Sequence, residues 1–262
     1  SSTGRRSSSL SRAGAGRGQD HRRQPVGPGR QAPTHRKEVF LNYACVLFLT
    51  RKCLEGVDRL FERGIPIPNI LNEYHAAGQI GTFGGSNWRP NRLEEANEYA
   101  EKHGLRPFTV SSPNFSLAEQ VDEPWADCIS ISGPQAVDDR AWYAKQNMPL
   151  FTWSSLGQGF FSGRITRSNW EEVKGDFPEP VTRCYAHEDN FKRMDRAEEL
   201  GREKNLSVPQ IALAYVVQQP GLEVYALIGT FTGAEYQENI RALEVKLTDE
   251  EMEWLDLRRD TR

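Results

Sequence analysis

Ser86 and Asn87 have the side chains and the setting to touch a ligand. They stand in the stretch Ala77-Gly78-Gln79-Ile80-Gly81-Thr82-Phe83-Gly84-Gly85-Ser86-Asn87-Trp88. Gly78 fits the left-handed residue that ends a preceding helix. Ile80 to Phe83 reads as a short buried strand. Gly84 and Gly85 then let the backbone bend and approach a ligand closely. Ser86 and Asn87 follow at the carboxyl end of that strand, where α/β proteins place ligand groups. Pro90 with Leu93, Ala96 and Ala100 opens a helix. A simpler reading stays open, in which this is a Gly-rich turn whose Ser and Asn cap the next helix.

Several chemistries are disfavoured by pattern. No GxGxxG follows a strand, so a Rossmann dinucleotide domain is not expected, and no Walker sequence occurs. Cys45, Cys53, Cys128 and Cys184 form no CxxC and have no metal-like spacing with His, so no metal site is expected. They read as reduced thiols of an intracellular, cytoplasmic protein. The formal charge of −3 argues against a dedicated nucleic-acid binder. Val39 to Leu49 is apolar but well short of the ~20 residues of a membrane span.

The surrounding elements must position any site. Residues 1–37 are rich in Arg, Ser, Gly and Pro, with Asp20 the sole acid. They are expected to form a disordered basic tail. Targeting peptide and RNA-binding arm are alternative readings of that tail. The first residue is Ser, which fits a fragment or a processed product. Val39 to Thr50 reads as one long strand or two short ones. Further strands are expected at 107–111, 149–153 and 224–228. Helices are expected at 69–77, 91–102, 136–146, 190–204, from Ser207 onward, and at 234–243. Thr248 with Glu251 forms a capping box for a last helix. Residues 165–186, holding Pro178 and Pro180, read as a long surface loop. Strands alternating with helices predict a parallel sheet, as a barrel or a doubly wound fold.

Four stretches in order resemble the aldo-keto reductase family. They are Gly78-Gln79-Ile80 to Trp88; Phe151-Thr152-Trp153-Ser154-Ser155-Leu156-Gly157 to Arg164; Ser207-Val208-Pro209-Gln210-Ile211-Ala212-Leu213-Ala214; and Ile228-Gly229-Thr230 leading to Glu238-Asn239-Ile240. The resemblance covers roughly residues 65–257 and falls on the family's C-terminal half. It implies an α/β (β/α)8 TIM-type barrel, here incomplete over 38–262, with strands five to eight and the closing helix. It implies carbonyl–alcohol interconversion with NADP or NAD and a small-molecule carbonyl substrate. By the same resemblance Ser86 and Asn87 hold the nicotinamide carboxamide. Ser112 stands where the family has a Gln sharing that contact. Trp153 stacks on the nicotinamide. Ser154, Leu156, Gly157, Gly163 and Arg164 follow the pyrophosphate. Gly229, Thr230 and Thr232 reach the adenosine phosphates, and Glu238 and Asn239 the adenine.

Two departures accompany it. Where the family often sets Lys or Arg for the 2′-phosphate of NADP, this chain has Gly229, Phe231 and Glu235. The family's Tyr, Lys, His and Asp catalytic set is not matched, except that Lys52 is a candidate for the Lys. The implied oxidoreductase therefore stands beside two alternatives: a non-catalytic nucleotide-binding or regulatory protein on the same fold, and a truncated gene product. Open barrel edges would favour homo-oligomers.

Overall fold

The structure is a computed structural model, and it describes Val46–Leu49 and residues 66–262. The expected basic tail and Lys52 lie outside those residues. Strand β1 is Val46–Leu49, within the expected 39–50 stretch. Helix α1 (Ile67–Ala76) leads to β2 (Thr82–Ser86), α2 (Pro90–Lys102) and β3 (Val110–Ser112). Helix α3 (Val137–Gln146) precedes β4 (Leu150–Thr152). Four helices follow: α4 (Trp170–Val173), α5 (Glu179–Tyr185), α6 (Glu188–Lys204) and α7 (Val208–Val217). The chain then forms β5 (Val224–Ala226), α8 (Gly233–Ile240) and α9 (Asp249–Leu255).

The five strands pair in sequence order and every pair is parallel. A doubly wound sheet reverses direction at a switch point. Unbroken sequential order is the arc of a (β/α)8 barrel, so the structure decides between the two folds left open by periodicity. The register runs Leu49↔Gly85, Ser86↔Ser112, Ser111↔Leu150 and Thr152↔Ala226. The strand ends that carry Ser86, Ser112 and Trp153 are thereby brought side by side.

Helix ends follow their caps. Thr248 Oγ1 accepts from Glu251 N–H at 3.2 Å, and Glu251 Oε2 accepts from Thr248 N–H at 2.9 Å. Helix α7 is apolar on nearly every side, with Gln210 its polar exception, and every residue from Pro209 to Val217 is buried, as such a pattern requires.

Three expectations are corrected. Strand β2 begins at Thr82 and runs through Gly84 and Gly85, which do not bend the chain. Their close approach is to protein: a Cβ on Gly84 would lie 2.0 Å from the Val110 carbonyl oxygen, and one on Gly85 2.7 Å from the Trp88 ring. Residues 165–186 are not a surface loop. They hold α4 and α5 and bury Ile165, Trp170, Phe177, Val181, Cys184 and Tyr185. Pro178 and Pro180, expected within a loop, instead start α5, where a missing N–H costs nothing. Helix α1 likewise starts ahead of the expected residue 69. Pro66 is extended, but Ile67 already begins the helix with Pro68 in its first turn.

Candidate cofactor-binding site

Asn87 sits one residue beyond β2 with φ 59°, a left-handed conformation that Asn tolerates better than most residues. Its N–H donates to the Ser112 carbonyl at 3.2 Å. The Ser86 hydroxyl donates to the same carbonyl at 3.2 Å. Asn87 Oδ1 accepts from the Trp153 indole N–H at 3.0 Å and from Ile129 N–H at 3.3 Å. Two donors on one atom fix the amide orientation and leave Nδ2 as a donor, which meets the Cys128 Sγ at 3.9 Å. Ser86, Asn87, Ser112 and Trp153 therefore form one connected group at the carboxyl ends of β2, β3 and β4.

Asn114 supports this group from below, and sequence reading did not single it out. It is fully buried. Its Nδ2 donates to the Trp153 carbonyl at 3.0 Å, and its Oδ1 accepts from Ser130 Oγ at 2.8 Å. Its backbone pairs with Ile129 and Ile131, each at 2.9 Å. Only the Pro113-Asn114 step just past a strand could have signalled it. Trp125 was missed too. Its ring lies on the Trp153 ring with centroids 4.9 Å apart and planes 32° apart.

Cys128 lies at the edge of this group. Burial pushes its thiol up to about 11. The nucleophilic thiolate is thus scarce at neutral pH. In the native protein at pH 7.5 Cys128 should resist iodoacetamide, and it should react after unfolding in guanidinium. Peptide mapping by mass spectrometry checks this, and rapid native labelling of Cys128 would contradict the burial argument.

From Trp153 the chain enters the second group. Ser154 takes φ 51°, and Leu156 with Gly157 opens a short turn. Gly163 packs against Pro209 at the start of α7. The Arg164 guanidinium is exposed and lies 4.8 Å from the Phe177 ring and 5.6 Å from the Phe231 ring. Among the described residues it meets no carboxylate. Beyond Phe231, Thr232 Oγ1 caps α8 by accepting from Glu235 N–H at 3.1 Å. Glu235 Oε2 in turn accepts from Phe231 N–H at 2.7 Å.

Gln210 donates to Glu238 Oε1 at 2.8 Å and to the Glu238 carbonyl at 3.0 Å. A groove of about 650 Å³ opens there, lined by Glu198, Arg202, Asn205, Ser207, Gln210 and Glu238. Asn239 is buried, Thr230 half-buried and Gly229 exposed. The residues singled out in the sequence thus form a strand-end group and an outer group, and the segment 154–164 runs between them. The arrangement offers a ring platform with an amide donor, then an unneutralised cation, then a wide groove with carboxylates.

The sequence model of the aldo/keto reductase family matches residues 65–257. The chain belongs to this family. Norsolorinic acid reductase B of Dothistroma septosporum is 27% identical over 224 residues, covering 84% of this chain and 50% of that protein. Versiconal hemiacetal acetate reductase of Aspergillus parasiticus is 29% identical over 191 residues, covering 72% and 51%. The chain spans about half the length of the curated relatives it matches. A crystal structure of a thermostable aldo-keto reductase with the inhibitor epalrestat aligns with a TM-score of 0.48 at 19% identity, over 74% of this chain and 55% of that one. Among the described residues no helix is long and apolar enough to cross a membrane. No group of three His, Cys, Asp or Glu there could hold a metal ion.

Proposed function

We propose that this chain binds a nicotinamide dinucleotide and serves carbonyl–alcohol interconversion on a small-molecule carbonyl compound. The observation that carries the reading is the Trp153–Asn87 hydrogen bond, which locks a flat ring beside an amide donor at the mouth of a parallel sheet. The residues fit such a cofactor. Asn87 Nδ2 and the Ser86 and Ser112 positions suit a carboxamide, and the Trp153 indole suits a flat ring. Backbone N–H groups of Ser154, Leu156 and Gly163, with the Arg164 guanidinium, suit pyrophosphate oxygens, while the Gly157 N–H holds the turn by donating to the Ser154 carbonyl at 2.8 Å. Gly229, Thr230 and Thr232 stand at the adenosine end, with Glu238 and Asn239 for the adenine. The nicotinamide group would supply the hydride, and the chain's described residues would bind and orient it.

Glu235 argues about the choice of cofactor. Its carboxylate already holds the Phe231 amide at the start of α8. A second anion there meets repulsion, whereas a ribose hydroxyl can donate to a carboxylate. The wild type should bind NADPH no more tightly than NADH, and Glu235→Gln should shift the ratio toward NADPH. Titration of both by fluorescence quenching tests this. Trp153→Ala should weaken either cofactor roughly three- to tenfold through lost stacking, and Arg164→Ala by roughly tenfold through a lost charge-assisted bond. Unchanged affinity in both variants would refute the site.

A second reading has its own support. The hydroxyls of Tyr143 and Tyr185, both fully buried, are engaged with Ser111 at 3.0 Å and Gln120 at 3.1 Å. Neither can serve as a proton donor at the mouth. Binding without turnover of 4-nitrobenzaldehyde by the isolated chain is therefore the expected result, and turnover would favour an enzyme complete in itself. Association through sheet edges belongs to the same proposal and is read by light scattering after size exclusion.

A further inference from the structure

Trp125 has no part in the site described so far, yet its ring covers that site's platform. The indole is 52% exposed and lies 4.9 Å from the Trp153 ring, centroid to centroid. A third ring inserted between two others needs a spacing of roughly 7 Å, twice a carbon–carbon contact. At 4.9 Å the two indoles touch each other and admit nothing between them.

The two rings differ in freedom. Trp153 is held at its edge by Asn87, and its carbonyl is held by Asn114. Its backbone N–H donates to the Pro113 carbonyl at 3.2 Å. Its ring cannot turn without breaking the indole bond to Asn87. The backbone around Trp125 is also fixed. Arg183 binds Asp122 Oδ2 at 2.7 Å and the Glu123 carbonyl at 2.8 Å. Glu123 accepts from Asp127 N–H at 2.9 Å, and Val121 N–H donates to the Cys184 carbonyl at 3.0 Å. What remains free is the half-exposed Trp125 side chain, which can swing about its own bonds while its loop stays anchored.

We propose that Trp125 is the specificity-determining cap of this site: its indole occupies the face of Trp153 that a flat cofactor ring needs, and must swing away to admit it. The proposal rests on Trp153 being the ring platform of the cofactor site. Its consequence is a penalty paid only by ligands that carry the second ring. The dinucleotide's adenosine half, which belongs to the outer group, pays none of it.

The experiment compares NADH, NAD⁺ and ADP-ribose, which lacks the nicotinamide ring, on wild type, Trp125→Ala and Trp125→Phe by isothermal titration. Removing an indole–indole stack should tighten NADH and NAD⁺ roughly three- to tenfold in Trp125→Ala. Trp125→Phe should fall between. ADP-ribose should bind all three proteins equally. Weaker or unchanged NADH binding in Trp125→Ala overturns the cap, as does an equal shift for ADP-ribose. No binding of either ligand to wild type overturns the cofactor reading itself, and the cap with it. Because Trp125 is half-exposed, both variants should melt like wild type, and a large loss of stability would count against a side chain free to swing.

Discussion

Gly84→Ala should abolish or nearly abolish the native fold. Gly84 is paired with Val110 across β2 and β3. A Cβ there would lie 2.0 Å from the Val110 carbonyl oxygen and 2.6 Å from Val110 Cγ2. The first obstacle is backbone, so no rotamer change relieves it. Parallel strands stand about 4.7–4.9 Å apart, and moving them far enough to seat a methyl group breaks their hydrogen bonds. Overpacking usually costs about 1–3 kcal/mol, and a backbone collision belongs in the exceptional range above about 4 kcal/mol. For a domain of this size that lowers Tm by roughly 10 °C or more. Gly175→Ala is the control, because a Cβ there meets nothing within 4 Å. Thermal melts followed by circular dichroism read both. A Gly84→Ala variant that melts with the control would show that β2 and β3 are not packed as described.

This glycine shows where sequence reading stopped. The pair Gly84-Gly85 implies a close approach, and its place at a strand end points to a ligand as the partner. The partner is Val110, 26 positions away, and only the register supplies it. Elements with local causes were legible. The α9 capping box spans four residues, and α7 declares its burial by being apolar at nearly every position. Segment 165–186 was not legible, because its helices α4 and α5 are only four and seven residues long, too short to show a period, and its prolines serve as helix starts. The candidate site divides the same way. Ser86, Asn87 and Trp153 stand next to strands and could be named. Their coupling spans 66 positions, and neither its support, Asn114, nor the ring that lies on Trp153, Trp125, carries a motif.

Arg193→Met should cost about 3–5 kcal/mol, with a deficit that grows as pH rises. Arg193 is a buried cation on α6, 3% exposed. It donates to Asn190 Oδ1 at 3.1 Å and lies 3.4 Å from Glu119 and 3.6 Å from Asp256. Asn190 in turn accepts from Glu119 N–H at 2.8 Å, so this cluster pins the loop that continues from Asn114 to Tyr185's partner Gln120. Burial raises the Asp256 carboxyl above its ordinary value of 3.8, and Arg193 is the strongest force lowering it again. An acid with a raised folded pKa holds its proton longer in the native state than in the unfolded chain. Stability on its account is therefore full below the ordinary carboxylate range and falls as pH rises through the folded pKa. Deleting Arg193 lifts that folded pKa further and leaves the charged form without its main partner. The loss should be smaller near pH 5 than near pH 8, as guanidinium melts would show. Adding Asp256→Asn, which removes the charge, should recover part of the loss at pH 8 and little at pH 5. An equal deficit at both pH values, or no recovery in the double variant, would mean that Arg193 acts through packing of its aliphatic stem rather than through the buried charge.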